Sequence, residues 1–311
     1  MKSEGPPETK QPRSPSMDCL KHFEEFGMFT NPGCYIELLR GGLPSAAEDM
    51  GRVVRAQFIH QARMRDFDRA SEDELERGVK DKIPWYRQPE DAVLPGTASI
   101  VAELLRRDSR GFVHDRAVRD RLILTCRPVA IVMCSIFKSR GTPARVRAGF
   151  ADYFASYDAP YIDHWITEYW CANRSRWIAV DVDGLDSIAD FSPFDVPRGR
   201  FAYAADVWRD ARRGALDPDD YWNAKGVTGL NMIAWQLFYD FHCLMNSESI
   251  YPHHPKIGLE NVFPGLEAAD MNLIDHLSEL AAEPDENLVA LLEIWKSSRA
   301  LRLMHGTLLY N

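Results

Sequence analysis

Three residues in the middle of the chain have the types and the spacing that nucleophilic acyl chemistry needs. Cys126, Val129, Ala130, Met133, Cys134 and Phe137 recur at three- and four-residue intervals, one face of a helix. Pro128 suits that helix's first turn, Thr125 is placed to cap it, and Gly141 with Pro143 ends it. Cys126 therefore opens a buried helix, where unpaired N–H groups and the positive end of the helix dipole favour a thiolate and can also bind an oxyanion. Beyond the helix, His164 and Asp181 lie on segments with a period of two. A thiol that attacks an acyl carbon, an imidazole that moves its proton and a carboxylate that fixes the imidazole form a complete set.

The elements that must position this set follow from the pattern. Residues 144–154 alternate Val146, Ala148 and Phe150 against Arg145, Arg147 and Gly149, which predicts a strand. Residues 164–171 and 176–182 predict two more, joined by the short connection 172–175 as a hairpin. His164, Ile166, Glu168 and Trp170 share one face, and Trp177, Ala179 and Asp181 share one on the neighbouring strand, so antiparallel pairing brings His164 to Asp181. Helical patterns flank this zone: residues 46–65, 98–106, 230–244 and 287–303. Helices, then strands, then helices predict an α+β fold in one domain. Its regions are a tail over 1–17, a helical segment over 18–120, a catalytic core over 121–190 and a helical segment over 191–311.

The run TCRPVAIVMCSIFKSRGTPARVRAGF, followed by DHWITEYW and RWIAVDVD, resembles the bacterial transglutaminase-like superfamily of papain-type cysteine enzymes. In that family a Cys opens a helix and a G-I-P-A-R turn follows fifteen residues later. Here Gly141-Thr142-Pro143-Ala144-Arg145 stands at that distance from Cys126. The family's H-x-W-x-E is matched in part by His164, Trp165 and Glu168, and its W-x-x-x-D by Trp177 and Asp181. The register selects Cys126 as nucleophile and leaves Cys134 as a core thiol. The clear match covers about 60 residues, with weaker likeness from Asn31-Pro32-Gly33 to residues 194–198.

The resemblance implies a papain-like core, a thioacyl intermediate and transfer of the acyl group to an amine or water, with no cofactor. It also implies an acyl donor that is a small molecule, a peptide or a carrier-bound group. A narrower alternative is an amide-forming acyltransferase of natural-product biosynthesis that takes its acyl group from a carrier-protein thioester. A non-catalytic scaffold with the same fold is the alternative from another class.

Composition bounds the rest. Of 311 residues, 37 are Lys or Arg and 46 are Asp or Glu, giving a net charge of −9, the wrong sign for a dedicated nucleic-acid binder. At 45% hydrophobic and 27% charged, the chain can build a core, and no apolar run is long enough for a membrane span. Residues 1–16 hold four Pro and no apolar stretch, which predicts a disordered tail and not a signal peptide. Six Cys without C-x-x-C spacing predict reduced thiols and a cytoplasmic protein.

Further candidates flank the core. Seven Arg between 106 and 127, interleaved with Asp108, Asp115 and Asp120, form a mixed-charge surface or a docking site for an acidic carrier protein. Arg127, beside the nucleophile, can favour the thiolate, bind a substrate carboxylate or form a plain salt bridge. Trp165 either shapes an acyl pocket or packs the strand. His60, read in a helical stretch, can approach the site from the N-terminal half, although an ordinary core or surface role suits it better. Tyr251-Pro252-His253-His254-Pro255 lacks the partners of a metal site, and no metal is expected.

Overall fold

The computed structural model describes residues 14–60, 83, 84, 86–154, 159–186, 188, 190–251, 255, 257 and 267–302. It is an α+β fold in which helices cover a curled, mainly antiparallel sheet. The N-terminal part supplies α1 (Met17–Glu24), α2 (Ile36–Gly41), α3 (Ala47–Arg55), the short strand β1 (Phe58–His60) and α4 (Thr97–Arg107). Then come β2 (Leu122–Leu124), α5 (Cys126–Ser139), β3 (Ala144–Ala151), β4 (Tyr161–Cys171) and β5 (Arg176–Val180). The remainder is β6 (Phe201–Tyr203), α6 (Ala204–Arg212), β7 (Tyr221–Trp222), α7 (Gly229–Leu244), α8 (Ala268–Ala282), α9 (Pro284–Ser297) and α10 (Arg299–Arg302). Among the described residues, no helix is long and apolar enough to cross a membrane.

Two departures from the sequence pattern matter. The helix expected over 46–65 ends at Arg55, and Phe58–His60 form a strand that pairs in parallel with Leu122–Leu124. The apolar residues Phe58 and Ile59 do fall at helical spacing from Met50 and Val54, yet three residues in a two-stranded ladder carry no alternation long enough to announce themselves. The tail expected to reach residue 17 gives way to helix at Met17, where Ser16 caps α1 by accepting from the Cys19 N–H at 3.1 Å. Residues 1–13 of that tail, and 61–65 of the expected helix, lie outside the described residues.

The five-stranded sheet runs β5-β4-β3-β6, with β7 beside the start of β4. One face, carrying Val146, Ala148, Trp165, Ile178 and Val180, packs against α5 in the main core. Every residue of α5 is buried, Cys134 completely, and burial raises that thiol to about 12. Cys134 is a core thiol, and all six cysteines are unpaired. The opposite face holds Arg145, Arg147 and Glu168, each no more than 5% exposed, so the polar residues of β3 do not face water. They are buried because they form a closed charge network with α7 and α9, to which the Discussion returns.

Candidate active site

Strand pairing delivers the histidine and the carboxylate together. In the β4–β5 ladder Trp170 lies opposite Trp177 and Glu168 opposite Ala179, so the residues expected to share a face do so. Asp181, one residue past β5, then reaches His164, whose Nε2–H donates to Oδ2 at 2.8 Å. Asp181 is over-determined: Oδ2 also accepts from the Tyr153 hydroxyl at 2.7 Å, and Oδ1 accepts from the Gly184 N–H at 2.8 Å. Desolvation opposes its charge, but His164 and these donors hold the carboxyl below its usual range. Phe154, Tyr153 and Phe201 set ring edges around the imidazole, Phe154 at 4.7 Å between centroids.

Gly184 is required by close approach. A Cβ there would lie 2.6 Å from Asp181 Oδ2 and 2.9 Å from its Cγ, so the carboxylate would have to leave the imidazole. Gly184→Ala is expected to keep the fold and lose the His164–Asp181 contact. The Cys126 thiol should then titrate closer to a free thiol when its alkylation rate is followed against pH. An unchanged profile would show that the Asp181 contact has no hold on the thiol.

Cys126 opens α5 as the first helical residue, 4% exposed. His164 and His60 both lie near enough to its sulfur to act on its charge, a His60 ring nitrogen within 4.8 Å of it. With Nε2 of His164 spent on Asp181, Nδ1 is the nitrogen left for the thiol. Burial alone would raise the thiol, but the two imidazoles outweigh it and Cys126 lies below its ordinary value. His164 moves the other way: desolvation lowers it, while Asp181 and the Cys126 sulfur hold it well above 6.5. Both shifts run in the direction of a thiolate–imidazolium pair.

Thr125 does not cap α5. Its hydroxyl and its N–H both go to Asp91 Oδ1, the N–H at 3.0 Å. Tyr251 meets the sulfur at 3.4 Å. Burial holds its phenol well above 10, so it stays protonated and donates to the thiolate. Nothing in the sequence pointed to this contact, since Tyr251 is 125 residues away in a segment read only for its histidines. His253 and His254 of that segment lie outside the described residues.

Arg127 forms no salt bridge among the described residues. It is 2% exposed, donates to the Ser249 carbonyl and to the Pro95 carbonyl at 3.0 Å, and lies over the rings of Phe29 and Trp165 at 4.9 and 5.9 Å. Its work is to pin the start of α5 to the 249–251 segment. Trp165, on the face of β4 away from His164, is 1% exposed and packs edge-on to Tyr251 at 5.9 Å. That is strand packing, and it buttresses the tyrosine that touches the thiol. Glu168 bonds to Arg145, Arg147 and Tyr203 and is structural. In the arginine-rich segment Arg116 is buried, while Arg106, Arg107 and Arg110 pair with Glu103, Glu90, Asp108 and Asp115.

His60 was the weakest of the sequence candidates, yet it is drawn to the centre of the site. The β1–β2 register sets His60 opposite Leu124, two residues before Cys126, and its Nε2 lies 3.6 Å from Asp183 Oδ2. One ligand-type atom from each of His60, Cys126 and Asp183 lies within 4.8 Å of the others, a donor set suited to a soft divalent cation. Tetrahedral zinc, with bonds of about 2.0–2.3 Å, needs its ligands roughly 3.3–3.8 Å apart. The His60–Asp183 separation of 3.6 Å falls within that range, and all three atoms lie within 4.8 Å of one another. Comparison with protein-family models, curated proteins and solved structures finds no match to this chain.

Proposed function

We propose that this chain is a cysteine-dependent acyl-transfer enzyme with a papain-like, transglutaminase-like core. The single observation that carries this is the buried His164–Asp181 pair, bonded at 2.8 Å, acting on the thiol of Cys126 at a helix N-terminus. The Cys126 thiolate attacks an acyl carbonyl. First-turn N–H groups of α5 stabilise the oxyanion, and His164 protonates the departing amine, alcohol or thiol. The thioacyl enzyme then passes its acyl group to an amine or water, with His164 as base. A carrier-protein thioester as donor is a narrower form of the same chemistry.

Site-resolved iodoacetamide labelling between pH 5 and 9 tests this. Cys126 should label fast below pH 7, where a free thiol with a pKa of about 8.5 is mostly protonated. His164→Ala should remove that fast phase. Labelling of Cys126 that follows a free-thiol profile in the wild-type protein would count against catalysis and favour a scaffold.

A further inference from the structure

We infer that His60, held by Asp183, is a second catalytic histidine: an N–H donor to the Cys126 sulfur that steadies the thiolate when it attacks and when it leaves. This rests on the acyl-transfer function proposed above and deepens it. Two neighbouring carboxylates each engage a different imidazole, Asp181 with His164 at 2.8 Å and Asp183 with His60 at 3.6 Å, and a ring nitrogen of His60 lies within 4.8 Å of the Cys126 sulfur. A structural histidine has no need of that duplication. Exposure separates the two. His164, Asp181 and Cys126 are each no more than 4% exposed, whereas the His60 side chain is 20% exposed and lies toward solvent.

The protons balance without a further reactant. In acylation the C–S bond forms, the bond to the leaving group breaks, and the His164 proton goes to the leaving group while His60 keeps its own. In deacylation the acceptor's N–H or O–H proton passes to His164, the new bond to the acyl carbon forms, and the C–S pair returns to sulfur. At that moment His164 is engaged with the acceptor, and His60 is the imidazole that donates to the departing thiolate. Asp183, Cys126, His164 and Asp163 are the titratable groups that act on His60. Desolvation lowers its pKa, as His164 does, but Asp183 and the sulfur outweigh both, so the net direction is up.

The test uses full-length protein and two readouts: the pH profile of Cys126 alkylation, and the burst and steady-state rates with an activated aryl ester. His60→Ala should move the labelling midpoint up by about one pH unit. It should also slow deacylation by about ten- to a hundredfold, the factor carried by a hydrogen bond to a charged atom. His60→Gln, which keeps a neutral donor, should fall between. Asp183→Asn, which leaves the β1–β2 ladder untouched, should shift the profile in the same direction.

Circular dichroism and melting curves screen each variant, and the Gln and Asn variants carry the test if the Ala variant unfolds. Wild-type profile and deacylation rate in all folded variants overturn the inference. If His164→Ala still abolishes fast labelling, the acyl-transfer function survives that failure; if it does not, the function fails as well. A Cys126 that labels only after chelator treatment also overturns it, by placing a cation where we place the donor.

Discussion

Asp181→Asn is expected to slow acyl-enzyme formation from an activated ester by about 10³–10⁴-fold, the scale seen when the orienting carboxylate of a catalytic triad becomes an amide. Three donors converge on the two oxygens of Asp181: the His164 Nε2–H, the Tyr153 hydroxyl and the Gly184 N–H. An Asn offers one acceptor oxygen. If that oxygen stays with Gly184, its NH₂ faces the imidazole and the phenol. His164 must then present a bare Nε2 and carry its proton on Nδ1, the nitrogen that has to take the thiol's proton. The wild-type rate should be bell-shaped in pH. It falls on the acid side as the lowered Cys126 thiolate is protonated, and on the alkaline side as the raised His164 imidazolium loses its proton. In Asp181→Asn the two limbs should close toward each other, since the carboxylate that raises His164 is gone. Burst kinetics against pH read both effects, and an intact bell with an unchanged rate would remove Asp181 from the mechanism.

How much of this was legible in the sequence differs by residue for physical reasons. The α5 face, the β4–β5 hairpin and the convergence of His164 with Asp181 follow from local periodicity, since a helix and a tight antiparallel pair fix side-chain direction over a few residues. The contacts of Cys126 to His60 and Tyr251 depend on chain returning across 66 and 125 residues, where a three-residue strand or an irregular segment carries no period to read. Thr125 had the right type for a cap and was taken by Asp91, a competitor that spacing cannot show. The alternation in β3 was correct, but period alone could not tell that Arg145 and Arg147 are buried. That depends on Asp240 and Asp285, which come from helices 93 residues beyond Arg147 and 140 residues beyond Arg145.

Those buried arginines make Asp240→Ala the most disruptive substitution expected away from the site. Arg147 donates through Nε and Nη2 to the two Asp240 oxygens at 2.8 Å each, and the Ala148 N–H adds a third bond at 2.9 Å. Asp240 is fully buried and Arg147 is 4% exposed, so the alanine leaves the guanidinium with Glu168 alone, at 3.2 Å, and the Ala148 amide without its acceptor in a dry interior. Breaking one partner of a buried pair costs about 3–5 kcal/mol. For a chain of 311 residues that is a fall in Tm of roughly 5–8 °C. Replacing both partners with apolar side chains should recover much of the loss, because what destabilises is a buried guanidinium that has lost two of its three bonds.

Glu168, shared by Arg145 and Arg147, adds a pH signature. Desolvation opposes its charge, yet the two arginines hold its carboxyl at about 2. A depressed carboxyl contributes stability that is fully present above its unfolded value of about 4.3. That contribution is lost as pH falls from there toward 2. Thermal melts from pH 7 to 3 should therefore show wild-type protein losing stability below about pH 4.3. Asp240→Ala should start lower, while its Cys126 labelling profile below the melt stays that of the wild type. A substitution that moved that profile without lowering Tm would mean that Asp240 serves the thiol and not the fold.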